Sequence, residues 1–110
     1  MPEVRLSSRG DFKKVFAEGK KIVGRNAILW FRSGPSAKTR LGLSVSVKTG
    51  GAVRRNRLKR LAREAFRLNR ENLKSGQDMV IYLRPGCSWL NFKDAEKEVI
   101  ELCRKAGLRH

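Results

Sequence analysis

The stretch GGAVRRNRLKRLAREAFR, residues 50–67, constrains this chain more than any other. It crowds Arg54, Arg55, Arg57, Lys59, Arg60, Arg63 and Arg67 into about four turns if helical, with only Glu64 to offset them. Wound at about 100° per residue, residues 53–73 place Leu58, Leu61, Ala62, Ala65, Leu68 and, toward one edge, Phe66 on one side. Asn56, Lys59, Arg60, Arg63, Arg67 and Arg70 fall on the opposite side. The pattern predicts an amphipathic helix that packs on a core through one stripe. Its wet face is cationic, unlike the usual surface helix laced with Glu and Lys.

A solvated face is the bland reading of those cations, and the first turn argues against it. Arg54, Arg55 and Arg57 stand at the positive end of the helix dipole, where each cation costs roughly 0.3–1 kcal/mol. Bound phosphates reverse that cost, because they meet the arginine forks and the free N–H groups of the helix start, reached through Thr49-Gly50-Gly51. Asn56 adds a donor and an acceptor suited to a sugar hydroxyl, a base edge or a backbone contact.

Charge makes the same demand of the whole chain. Lys and Arg number 26 against 10 Asp and Glu, a net charge of +16, so self-repulsion opposes folding unless a polyanion answers it. Nucleic acid is the first candidate partner. An anionic membrane surface is the second, but the sequence has neither an apolar run near the ~20 residues of a spanning helix nor a signal peptide with an apolar centre. No membrane partner and a cytoplasmic location are therefore expected. At 110 residues, one domain over residues 1–110 is expected, monomeric on its own. Cys87, Cys103 and the terminal His110 are too few and too scattered for a protein metal site or for a nucleophile with its general base. No catalytic side chain is expected.

Along the chain, SRGDFKKVFAEG predicts a short helix capped by Ser8, with Asp11 as capping-box partner, Phe12, Val15 and Phe16 as its apolar stripe, and a left-handed stop at Gly19. Residues 27–32, AILWFR, and residues 40–48, RLGLSVSVK, read as strands separated by the turn SGPSAK. In the second of these, Leu41, Leu43, Val45 and Val47 share one face, and Gly42, Ser44, Ser46 and Lys48 the other. That small, polar face is either a solvated sheet surface or a shallow floor that a nucleic-acid strand can approach. DMVIYLR, residues 78–84, reads as a central strand covered on both faces. A last helix over residues 92–106 is capped by Asn91, with Phe92, Ala95, Val99, Leu102, Cys103 and Ala106 as its buried stripe.

Taken together, AVRRNRLKRLAREAF, DFKKVFAEGK, GLSVSVKTG and DMVIYLRP resemble, in order and spacing, the protein subunit of bacterial ribonuclease P. The resemblance implies an α+β fold, a two-layer α/β sandwich of order αβββαβα with a mixed four-stranded sheet and a left-handed βαβ crossover. The implied partners are the catalytic RNA and precursor tRNA, whose 5′ leader is removed to leave a 5′-phosphate. Hydrolysis is assigned by the resemblance to the RNA and its Mg²⁺, with the protein assisting. Arg54, Arg55, Asn56, Arg57, Lys59, Arg60, Arg63 and Arg67 are then expected to face the catalytic RNA. Phe12, Phe16, Trp30, Ser44, Ser46 and Lys48 are expected to border the leader, although phenylalanines at this spacing are as readily core. Val47 stands where the family often has a basic residue, so one leader contact is expected to be missing; Gly51 replaces a frequent Asn, and either caps a helix. A ribosomal-type RNA-binding protein shares the cationic helix without needing a leader cleft, and a DNA-binding module shares the helix alone.

Overall fold

The most apolar strand occupies the middle of the sheet. In the computed structural model, which describes residues 5–6 and 8–110, QDMVIYL forms β4 (Gln77–Leu83), in which Tyr82 alone is not fully buried. It pairs antiparallel with β2 (Ala27–Ser33) on one side and parallel with β3 (Arg40–Val45) on the other. β1 (Lys20–Val23) extends β2 antiparallel, so the strand order is β1-β2-β4-β3. Helices α1 (Arg9–Glu18), α2 (Ala52–Asn69) and α3 (Phe92–Lys105) complete the αβββαβα order.

The pleat of this sheet sorts its side chains into two environments. Ala27, Leu29, Leu41, Met79, Ile81 and Leu83 share a core with Leu58, Ala62, Ala65 and Phe66 of α2 and with Ala95, Val99, Leu102 and Cys103 of α3. Each Leu or Phe fully buried there contributes roughly 1.5–3 kcal/mol. The sheet and the α2–α3 pair are the two main layers. On the opposite face α1 covers part of the surface, where Leu6, Val15 and Val80 form a smaller cluster against Phe12 and Trp30.

Two polar hubs tie this arrangement together. Arg40 grips the buried Asp78 with a two-pronged contact, Nε to Oδ1 at 2.9 Å and Nη2 to Oδ2 at 2.7 Å, and Nη1 reaches Asp11 of α1 at 3.3 Å. Hydrogen bonding to Asp78 raises the Arg40 pKa above its ordinary value against the opposing effect of burial. Glu98 of α3 accepts from the main-chain N–H groups of Asn26 and Ala27, the Asn26 amide and the Trp89 indole, at 2.8–3.1 Å, which fixes the β1–β2 turn and the β4–α3 loop on one carboxylate.

The expected caps hold at both helix starts, where Ser8 Oγ accepts from Asp11 N–H and Asn91 Oδ1 from Asp94 N–H, each at 3.0 Å, but the Asp11 carboxylate meets Arg40 rather than serving as capping-box partner. Five others need correction. Gly19 is extended (φ −83°) rather than left-handed; glycine is required because a Cβ would collide with Val15 O and lie 2.7 Å from Phe31 O. β3 stops at Val45, because Ser46 Oγ accepts the Lys48 N–H at 3.1 Å and caps a 3-10 turn, Val47–Thr49. That turn swings Val47 into solvent at 75% exposure, away from the face of Leu41, Leu43 and Val45. α2 ends at Asn69 and gives way to a 3-10 turn, Arg70–Asn72, and Leu68 lies outside the core, exposed.

Candidate nucleic-acid interface

Not every cation of α2 is left for a partner, and Arg54 is the first that is engaged. This residue lies about 40° around the helix from the buried Leu58, on the core side. Its guanidinium therefore reaches two main-chain carbonyls, Nε to Thr49 O at 3.1 Å and Nη2 to Cys87 O at 2.6 Å, while the residue stays exposed. Arg57, at the flank, donates through Nη2 to Leu90 O at 2.6 Å. Arg67 pairs with Glu64 one turn earlier, which holds the Glu64 carboxyl below its usual pKa. Arg55, Asn56, Lys59 and Arg60 have no side-chain partner among the described residues. The expected cationic surface thus divides into Arg54 and Arg57, exposed but bonded to main-chain carbonyls, and a set without partners among the described residues, in which Arg60 is exposed and Arg55 and Lys59 are half-buried.

The start of α2 leaves room for an anion. Gly51 is the N-cap and supplies no side-chain acceptor to the first N–H groups. Gly50 has φ 145°, a conformation that side chains rarely adopt, and Arg54 Cδ lies 2.8 Å from where a Cβ would stand. Thr49 is buried, and its hydroxyl has no hydrogen-bond partner among the described residues.

A second surface lies on the sheet face shared with α1. Three pleat rows cross it: Val23, Ile28, Tyr82 and Ser44; then Lys21, Trp30, Val80 and Gly42; then Arg32, Asp78 and Arg40. α1 closes over the second row. Phe12 sits so near Gly42 that a Cβ there would be 2.6 Å from its Cζ, so the protein's own ring occupies the gap left by this glycine, and no strand of nucleic acid can use it. Phe12, Phe16 and Trp30 form an aromatic chain, with centroids 6.3 Å apart and then 5.2 Å apart edge-on. Phe12 and Trp30 are partly buried, and Phe16 is 38% exposed. Lys21 Nζ stands 5.3 Å from the Trp30 ring centroid.

The first row remains open beside that aromatic wall. Ser44, Ile28 and Tyr82 are each half-buried, Val23 is exposed, and the exposed Lys48 follows in the adjoining 3-10 turn. Ser46 lies in the same region with its oxygen engaged by Lys48 N–H. The sequence reading missed Tyr82, Ile28 and Lys21. Tyr82 was concealed in an apolar run that reads as covered on both faces, whereas the structure leaves it half-buried; the register of β1 brings Lys21 to Trp30.

The two surfaces meet at the β3 edge. A cavity of about 230 Å³ there is lined by Lys59 and Arg63 of α2, Phe12 of α1, Leu41 and Leu43 of β3, and Arg5 and Leu6. Among the described residues, no three His, Cys, Asp or Glu side chains come together as a metal site. No helix among them is long and apolar enough to cross a membrane.

Comparison with known proteins converges on one family. The ribonuclease P family profile matches residues 1–107. The chain is 39% identical to the ribonuclease P protein component of Clostridium acetobutylicum, over 98% of this chain and 92% of that one. It is 38% identical to the counterpart from Dictyoglomus turgidum, over 96% and 91%. The structure superposes on the RNase P protein from Thermotoga maritima with a TM-score of 0.84 at 34% identity, covering 92% of this chain and 96% of that one. The Staphylococcus aureus RNase P protein shares the fold with a TM-score of 0.89 at 23% identity, over 99% and 100%.

Proposed function

We propose, from the premise that this chain belongs to the ribonuclease P protein family and is the protein subunit of that tRNA-processing ribonuclease, that its two surfaces serve two RNAs. The outward face of α2 holds the catalytic RNA, and the open row of the sheet beside α1 holds the 5′ leader of precursor tRNA. The observation that carries this reading is the set of cations on α2, Arg55, Lys59 and Arg60, that have no partner among the described residues. Such charges oppose folding in isolation and become favourable on a phosphate backbone, with counterion release as the driving term.

The sheet surface suits a single strand better than a duplex. A half-open floor of Tyr82 and Ser44, a partly exposed aromatic wall and the flanking Lys21 and Lys48 offer stacking faces with sparse charge. The protein's contribution is positional. Docked through α2, it sets the leader in line with the RNA active site, and its charge reduces repulsion between the two RNAs.

Mg²⁺ is assigned to the RNA. RNA phosphates are suited to that ion, which takes oxygen ligands and keeps several waters; among the described residues no three His, Cys, Asp or Glu side chains come together to compete for it. The location that follows is the cytoplasm, where precursor tRNA is made.

Reconstitution tests the assignment. Adding the protein to a bacterial catalytic RNA should restore 5′ cleavage of precursor tRNA at Mg²⁺ concentrations where the RNA alone is slow. Absence of stimulation with a cognate RNA would refute it.

A further inference from the structure

The loop of residues 84–91, between β4 and α3, is held by its main chain against α2. Arg54 Nη2 binds Cys87 O and Arg57 Nη2 binds Leu90 O, both at 2.6 Å. On its other side, Leu90 N–H donates to Asp94 Oδ2 at 2.9 Å. Both main-chain polar groups of Leu90 are therefore engaged, yet its side chain is 74% exposed. An exposed leucine is ordinary in itself. A leucine whose backbone is fixed at both ends while its side chain stands in water is different, because a partner can cover it with little further ordering cost.

The surroundings specify that partner. Val53 lies one helical turn before Arg57, on the same side of α2, and is 85% exposed. Arg60 follows on that side, exposed and without a partner among the described residues. Apolar side chains thus stand inside a cationic field, a pattern that suits a polymer in which anionic phosphates alternate with uncharged sugar and base faces.

We infer that the α2 surface continues onto the β4–α3 loop, where Leu90 and Val53 pack against an unpaired nucleotide of the catalytic RNA while Arg60 holds a neighbouring phosphate. This rests on the reading that α2 binds that RNA. Arg57 then acts as a positioning residue, presenting Leu90 through its carbonyl.

The test is the affinity of the full-length protein for the catalytic RNA across a monovalent-salt series. Leu90→Ser should weaken binding about three- to tenfold, the scale of a leucyl side chain partly buried on docking. The log–log salt slope should not change, since an apolar contact releases no counterion. Leu90→Met should bind like the parent. Arg60→Ala, run in parallel, should bind more weakly with a shallower slope. Unchanged binding by Leu90→Ser beside a weakened Arg60→Ala would overturn the inference and leave the α2 reading standing; unchanged binding by both would overturn the two together. A shallower slope for Leu90→Ser, or a loss confined to the precursor tRNA leader, would also overturn it. Should Leu90→Ser lower the melting temperature, Val53→Ser carries the same comparison from a helix position open to solvent.

Discussion

Arg40 is the residue whose loss should be felt both in the fold and at the leader surface. Its guanidinium is the hydrogen-bonding and charge partner of Asp78, whose side chain is 1% exposed, and Arg40 itself is 19% exposed. Removing one member of a buried pair costs about 3–5 kcal/mol, because the other charge is left without compensation. Water that reaches the partly open Arg40 site moderates this, so ~3 kcal/mol is expected for Arg40→Ala. Loss of the longer contact to the half-exposed Asp11 adds at most ~1 kcal/mol. A domain of this size loses roughly 4 °C of melting temperature per kcal/mol, so the variant should melt about 12–15 °C below the parent. The assay is thermal unfolding by circular dichroism at neutral pH, with Arg40→Ala/Asp78→Asn alongside. The double variant should recover part of the loss, since a buried amide is less unfavourable than an unpaired carboxylate. An Arg40→Ala variant within ~1 kcal/mol of the parent, or a double variant no better than the single, would refute the reasoning. Because Asp11 belongs to α1, precursor tRNA affinity should fall more than catalytic-RNA affinity in the folded variant.

Three further outcomes are expected. Arg60→Ala should reduce the log–log salt slope of catalytic-RNA binding by about 0.7–0.9, one phosphate's share, with circular dichroism unchanged. Phe16→Ala should weaken binding of precursor tRNA with a leader several nucleotides long by ~1–3 kcal/mol if one stack is lost, with mature tRNA unaffected; equal weakening of every RNA would contradict a separate leader surface. Burial pushes the Cys103 thiol from 9.0 up to about 12 and raises the Cys87 thiol too, so neither should react with a thiol reagent in the native protein near pH 8, and both should after unfolding. The folded Cys103 keeps its proton where the unfolded thiol loses it. Its contribution is therefore full below about pH 9 and lost as pH rises toward about 12, which an alkaline series of melts would detect.

What the sequence disclosed was mostly local. Ser8 and Asn91 announce helix starts because their partners lie three residues away, and the stripe of Leu58, Ala62 and Ala65 follows from helical period alone. It disclosed less where a more distant group decides. No spacing within α2 shows that the exposed Arg54 also holds a carbonyl 33 residues away, on Cys87. The alternation of β3 runs on to Val47 in the sequence, but a single hydroxyl on Ser46 starts a turn that ends the strand. The Asp11, Arg40 and Asp78 hub joins three elements, and no spacing within any one of them reveals it. Gly42 reads as part of a solvated face or of a floor for a ligand, and the docking of α1 puts Phe12 there instead.

The strand order has a consequence for how the chain acquires its shape during synthesis. β2 and β3 are separated in the sheet by β4, which follows both of them and α2 in the sequence. Until residues 77–83 emerge from the ribosome, β3 has no sheet partner at its inner edge, and α2 has only part of the surface it will cover. The most cationic segment is therefore made before the strand that completes its seat. The fold is closed from its C-terminal third, when β4 inserts between two strands already waiting and α3 settles beside α2. A chain released before that point carries an unanchored basic helix and an unpaired strand edge, the two features most prone to misassociation in a cell rich in RNA.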